Sequence, residues 1–366
     1  ADVFGITHRT GKEAFLYYKS HLKPRPPVTI PQSHAFKDVG LVAMHSNMPE
    51  PDNNVTMLFQ SNPFGAISHN FACQNAFVIE AYGEPLAIST GARQLHGSQH
   101  HRQWMWHTKA HNSILVDDEG QVTRKRSSAG KIINYKDEHD YVFVTGDATD
   151  AYGGRLDKFH RHIIFIRPEY FVIIDDLETS GKASTFQWLL HSPTEINVDV
   201  EKNLIVNQSG NVRLTSRFLM PEKIKFSQHT GFTPQVVDSV NWQNQFHLTA
   251  STTAPAASKK IITVMRVDKT SGSPIEKPEG PSTPRRKIEI KDIMNPASLD
   301  KSILDAQLLE AEGGIAIRMG DDLILWKSQD EWKVEAAGVI STRQLEVRTG
   351  HFYNRQIMYK EGNNDN

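Results

Sequence analysis

His162-Ile163-Ile164-Phe165-Ile166 and Phe171-Val172-Ile173-Ile174-Asp175, separated by Arg167-Pro168-Glu169, decide the fold class. Each run is short and rich in β-branched and aromatic residues, as strands are, and the proline-centred triplet stands where the chain must reverse. Runs of the same kind recur at 55–59, 76–82, 86–89, 113–116, 141–145 and 185–191, with turn residues Gly83-Glu84-Pro85 and Asp117-Asp118-Glu119-Gly120 among them. Stretches with helical length and period are missing between these strands. That absence argues against crossover units and for antiparallel sheets packed face to face.

Further strands are expected at 204–207, 212–218, 246–251 and 260–267. Residues 270–286, with Pro274, Pro278, Pro281 and Pro284, read as a linker or surface loop. Runs at 288–290, 306–309, 314–318, 323–327, 344–348 and 355–359 then suggest a smaller terminal sheet. Near the start, 12–22 is the one good helix, with Phe15, Leu16 and Tyr18 forming its stripe and Pro24, Pro26 and Pro27 stopping it. The expected fold is therefore mainly β: a large antiparallel β-sandwich over 33–268, a smaller C-terminal β-sheet domain over 285–366, and a short N-terminal helix with its linker over 1–32.

Composition narrows the partners. With 366 residues and 38% hydrophobic content the chain can bury a substantial core. Lys plus Arg total 41 against 42 Asp plus Glu, so no global field favours nucleic acid or an anionic membrane, and anion binding must come from local clusters. Cys73 is the single cysteine, which excludes an internal disulfide and a cysteine-based zinc cluster. No run approaches the roughly 18 to 20 apolar residues of a membrane span, and the first residues lack the layout of a signal peptide. The opening Ala1-Asp2-Val3-Phe4-Gly5 reads as the middle of a longer protein.

The chemistry concentrates in 68–112, which gathers His69, His96, His100, His101, His107 and His111 with Gln74, Asn75, Arg93, Arg102, Trp104 and Trp106. Histidine titrates near neutrality, so the segment combines proton-transfer groups, carboxylate binders and sugar-stacking surfaces. Cleavage of a uronic-acid glycan by β-elimination needs all three: a neutralised carboxylate, a base for the C5 proton and an acid for the departing O4. The plain alternative is a polar loop with incidental histidines. Gln74 and Asn75 suit a carboxylate or a loop cap. Trp104 and Trp106 alternate along what reads as an extended segment, one inward and one toward a sugar. Arg155, Lys158 and Arg161 read either as glycan contacts or as a charged strand edge. Asp175-Asp176 reads as a turn device. A glycoside hydrolase is disfavoured, because only Glu80 and Glu84 offer carboxylates among the histidines.

Several ordered motifs carry a family resemblance: Ser61-Asn62-Pro63-Phe64-Gly65, Ser68-His69-Asn70-Phe71-Ala72-Cys73-Gln74-Asn75, Gly83-Glu84-Pro85-Leu86-Ala87-Ile88 and Lys109-Ala110-His111-Asn112-Ser113-Ile114. Gly146-Asp147-Ala148-Thr149-Asp150-Ala151-Tyr152, Phe159-His160-Arg161-His162 and Gln187-Trp188-Leu189-Leu190-His191 continue it. Together they resemble the β-domain of heparinase II/III-like polysaccharide lyases, well over 36–192 and weakly beyond. The resemblance implies a secreted or periplasmic lyase acting on an anionic polysaccharide, a glycosaminoglycan or alginate. In that family a helical toroid precedes the sandwich and carries a tyrosine acid/base. The helix at 12–22 would be its last remnant. His69 matches the β-domain histidine that acts as base or carboxylate neutraliser. A divalent metal (zinc, manganese or calcium) is implied at positions matching Phe71, Ser89 and His111, of which only His111 is a usual ligand. A non-catalytic glycan-binding sandwich, which needs no proton chemistry, and a uronyl C5-epimerase, which begins with the same C5 proton abstraction, are the competing readings; the lyase reading requires His69 to face an open groove.

Overall fold

The structure is a computed structural model. It describes residues 28–92, 95–237, 242–291, 299–327, 334–336, 339–341 and 345–348. The helix expected at 12–22, Arg93 and the strand expected at 355–359 lie outside the described residues.

The first five strands, β1 (Ser33–Phe36), β2 (Leu41–His45), β3 (Val55–Gln60), β4 (Ala76–Ala81) and β5 (Glu84–Ala87), form an antiparallel meander in chain order. Thirteen more follow: β6 (Ile114–Val116), β7 (Lys131–Asp137), β8 (Tyr141–Asp147), β9 (Leu156–Ile166), β10 (Tyr170–Thr179), β11 (Phe186–Ser192), β12 (Ile196–Asp199), β13 (Leu204–Ser209), β14 (Val212–Met220), β15 (Ile224–Thr230), β16 (Phe246–Thr252), β17 (Ser258–Lys269) and β18 (Arg286–Ile288). They make an eight-stranded sheet ordered β12-β13-β14-β17-β10-β9-β8-β7 and a five-stranded sheet ordered β18-β15-β16-β11-β6.

The two deciding runs are β9 and β10, paired antiparallel from Ile166↔Tyr170 onward at the centre of the large sheet. Their unbroken apolar sequence has a cause: both faces of this sheet are covered. Ile163, Phe165, Phe171 and Ile173 enter the core shared with the two five-stranded sheets. Ile164, Ile166, Val172 and Ile174 point the other way, onto Ile303, Ile317, Ile324 and Trp326 of the C-terminal part. That part contains the single helical turn α1 (Lys301–Leu304), capped by Asp300, with β19 (Gln307–Leu309), β20 (Gly314–Met319), β21 (Asp322–Lys327), β22 (Val334–Ala336), β23 (Val339–Ser341) and β24 (Leu345–Arg348). β19, β20, β21 and β24 form its four-stranded sheet, so the fold is a sandwich backed by a third, smaller layer.

The proline-rich 270–286 segment lies along the sandwich instead of hanging free. Ile275 bridges Gly210, Pro284 bridges Phe232, β18 joins β15, and Lys291 bridges Asn197.

A buried staple joins the three main sheets. Arg161, fully buried on β9, donates from Nε and Nη2 to the carboxylate of Asp175 at 2.6 and 2.9 Å, and from Nη1 to the carbonyls of Asn75 and Asn112 at 2.7 and 2.8 Å. The reading of Arg161 as a surface residue and of Asp175 as a turn device is thereby corrected. Asp175 sits mid-strand on β10, where only a paired charge survives burial. Asp176, the next residue, points outward to Lys158 and Lys260 at 3.4 and 2.9 Å.

Candidate active site

Between β3 and β4 the chain makes a loop that presents His69 to solvent. The loop is held from below. Asn62 Oδ1 accepts from Phe64 N–H, and Ala66 N–H donates to Lys125 O at 3.0 Å. Gly65 has φ +71, and a Cβ there would stand 2.2 Å from the Arg126 carbonyl, so this close approach needs glycine. Ser68, immediately before His69, has φ +55, and Arg124 has φ +57. Arg124 donates from Nη1 to Ser68 O at 2.8 Å and lies 4.3 Å over the Trp106 ring.

From His69 a row of rings crosses the surface. Its centroid is 5.8 Å from that of exposed His96, which is 5.0 Å from His101, which in turn is 5.3 Å from Trp106. Trp106 Nε1 lies 3.2 Å from His101 Nε2 and Gly97 N lies 2.9 Å from His101 Nδ1, and the neutral ring accepts at one of the two. His69, Arg102, Arg124, Lys125 and Arg126 are exposed, and Arg124, bound to the carbonyl of the residue before His69 and lying over Trp106, brings a cation and a partly exposed indole to the same face as the imidazole. Such a face can hold a carboxylated sugar and move a proton.

Sequence reasoning missed Arg124. The signal was available in the consecutive cations Arg124-Lys125-Arg126, but no spacing rule ties that run to His69 across the fold.

Several expected contacts are withdrawn into the interior. Gln74 is fully buried, accepting from Asn62 N–H at 2.7 Å and donating to Ser128 O at 3.2 Å. Asn75 is also buried, with φ +57, and donates to Gly146 O and Phe159 O. His100 donates from Nδ1 to Pro234 O at 2.7 Å and accepts from Ala92 N–H, and burial lowers its pKa. His101 is buried as well. The segment carrying the two tryptophans is not extended but a π-helical turn, His101–Met105. It sends Trp104 into the core, where its indole N–H donates to Thr90 Oγ1, and leaves Trp106 partly exposed. Burial keeps each of these groups from a glycan, and all but the Asn75 carbonyl oxygen have polar atoms engaged in the fold. Arg102 and Trp106 keep their surface positions.

The three positions implied as metal ligands do converge. Phe71 stacks on His111 at 5.5 Å, and Ser89 Oγ lies 3.2 Å from His111 Nδ1. His111 Nε2–H donates to Met105 O at 2.9 Å, and burial pushes the pKa of this ring down to about 4. Phe71 has no lone pair to give and both His111 nitrogens are engaged, so these residues do not fit a divalent cation. Among the described residues no three His, Cys, Asp or Glu side chains gather around a common point.

A family model described as Heparinase II/III-like, C-terminal matches residues 29–291. Among solved structures the fold is similar to a heparinase III gene product (14% identity, TM-score 0.58, covering 87% of this chain and 42% of that one). It is similar also to a second heparinase III (16%, 0.55, 87% and 42%) and to heparan sulfate lyase HepC from Pedobacter heparinus (15%, 0.56, 86% and 42%). The chain thus spans about two-fifths of the length of these structures. No curated protein matches the sequence.

Proposed function

The chain belongs to the heparinase II/III-like C-terminal family, and from that premise we propose that it is the sandwich part of a lyase that cleaves a uronate-containing glycosaminoglycan by β-elimination. The observation that carries this reading is the exposed imidazole of His69 one residue from the carbonyl that anchors Arg124. The Arg124 and Arg102 guanidiniums neutralise the C5 carboxylate, which acidifies the adjacent proton. His69 takes that proton, the C4–C5 double bond forms, and the C4–O4 bond breaks with O4 leaving as the new hydroxyl of the other fragment. Trp106 offers its face to a neighbouring sugar ring. O4 receives its proton from a hydroxyl group supplied by an upstream helical domain of the full-length protein, and export to the periplasm or exterior gives access to the polymer. No step passes through a metal.

Passive binding is the reading that the Trp106–Arg124 pair alone would favour, since stacking and charge bind sugar without proton transfer. Full-length protein incubated with heparan sulfate, and separately with alginate, is followed by ultraviolet absorbance of the unsaturated non-reducing end. Rising absorbance with heparan sulfate supports the lyase. Isotope exchange at C5 without absorbance indicates an epimerase, binding without either indicates a passive module, and turnover of alginate alone overturns the substrate assignment.

A further inference from the structure

Three segments of chain converge on His111. Phe71 comes from the loop, two residues past His69, Ser89 from the chain just beyond β5, and His111 itself follows the π-helical turn and Trp106. These are the positions at which the family resemblance implies a divalent ion, and their chemistry refuses one. Phe71 offers no lone pair. The buried His111 ring has Nε2–H on Met105 O at 2.9 Å and Nδ1 3.2 Å from Ser89 Oγ, whose hydroxyl donates to it. Nearby His191 keeps its Nε2 without a partner, with Nδ1 3.1 Å from His247 Nδ1, but one nitrogen falls short of the ligand set that zinc takes. An ion would have to shed its water for a single imidazole lone pair, and break the Ser89 hydrogen bond to reach it.

The junction is tied without an ion. The Phe71 ring lies against His111 at 5.5 Å with 22° between the planes, and it meets His101 edge-on at 6.0 Å. Ala72 N–H donates to Trp106 O at 3.0 Å, Thr108 Oγ1 to Ala72 O at 2.8 Å, and Thr90 N–H to Ala110 O at 2.8 Å. Both flanking segments are therefore joined to 105–111 by packing and hydrogen bonds, the crosslink that a metal would otherwise supply. We propose that this chain has exchanged a metal centre for a clamp of Phe71, Ser89 and His111, so that its fold and the placement of its His69 loop need no divalent cation, and that Phe71 and Ser89 are the two residues that exclude one.

The test uses the full chain, stripped with EDTA and titrated calorimetrically with zinc chloride and, separately, with manganese and calcium chlorides, while thermal unfolding is followed with and without each metal. The parent is expected to hold no stoichiometric metal at the clamp, and its melting temperature to stay in place with EDTA or added metal. Phe71→His/Ser89→Asp returns a donor to each position and is expected to bind one zinc at least about a hundredfold more tightly than the parent, with a melting temperature that rises on zinc addition. Ser89→Asp alone, which leaves the Phe71 ring on His111, is expected to bind zinc no more tightly than the parent, and it decides the matter if the double variant does not fold. A stoichiometric zinc in the parent that persists in His69→Ala/His96→Ala, where the exposed rings are removed, overturns the proposal. So does a parent melting temperature that EDTA lowers, a folded double variant that binds zinc no better than the parent, or tight zinc binding by Ser89→Asp alone. None of these readouts depends on turnover at His69.

Discussion

Asp175→Asn isolates the charge that balances Arg161. The guanidinium of Arg161 is enclosed, with Phe77 and Phe159 rings 5.4 and 5.7 Å away, and two of its four hydrogen bonds end on the Asp175 carboxylate. Removing one partner of a buried ion pair leaves an uncompensated charge in the interior and costs about 3–5 kcal/mol. Whole domains are stable by only about 5–15 kcal/mol, so the loss consumes a large part of the margin. Were Asp175 a surface turn residue, the change would stay within about 0.5 kcal/mol. Arg161→Met should cost more than Asp175→Asn, because it also strips the Asn75 and Asn112 carbonyls of their donor, at about 1–3 kcal/mol for each buried group left unpaired. Urea unfolding followed by far-ultraviolet circular dichroism reads both. An Asp175→Asn protein within 1 kcal/mol of the parent, or an Arg161→Met protein more stable than Asp175→Asn, would refute the staple.

Three further outcomes are expected. Burial depresses the pKa of His111 to about 4 and that of His191 to about 3, so both are neutral when folded but titrate near 6.5 when unfolded. Stability should therefore be complete above about pH 6.5 and fall as pH drops toward 4, at about 1.4 kcal/mol per unit per histidine; a flat urea midpoint across that window contradicts this. Arg124→Ala should raise KM about tenfold or more with a nearly unchanged melting temperature, since its proposed contact is to the substrate carboxylate and its anchors within the protein are one exposed hydrogen bond and a surface cation–π contact with Trp106. Unchanged KM removes Arg124 from the site. Gln74→Ala should lower the unfolding free energy by about 1–3 kcal/mol through the orphaned Asn62 N–H and Ser128 O, with KM unmoved in the protein that remains folded; a KM effect without a stability effect would return Gln74 to the glycan.

The sheets were legible because apolar runs and turn residues report strand length and reversal locally: β8 to β11, β13, β14, β16 and β17 fall where the runs lie, whereas β15, with Lys225, Ser227, Gln228 and His229 among its residues, gave no such run. The interior polar groups were not. Arg161, Asp175, Gln74 and Asn75 look like surface residues along the chain, and pairing over distances of 12 to 86 residues is what satisfies them once buried. The proline-rich 270–286 segment is the surface loop that its composition suggested, and its attachment through the bridges at Ile275 and Pro284 is what composition could not show. At the site, one tryptophan inward and the other outward is the arrangement read from the sequence, although the segment is a π-helical turn and not extended, whereas the burial of His100 and His101 had no local signal.

The claim on which the rest depends is that His69 removes the C5 proton. The initial rate of unsaturated-end absorbance on heparan sulfate, compared between full-length protein and its His69→Ala variant at matched folding and glycan affinity, tests it directly. General-base removal should lower the rate by about 10²–10⁴ while binding persists. A variant that turns over at the parental rate contradicts the account.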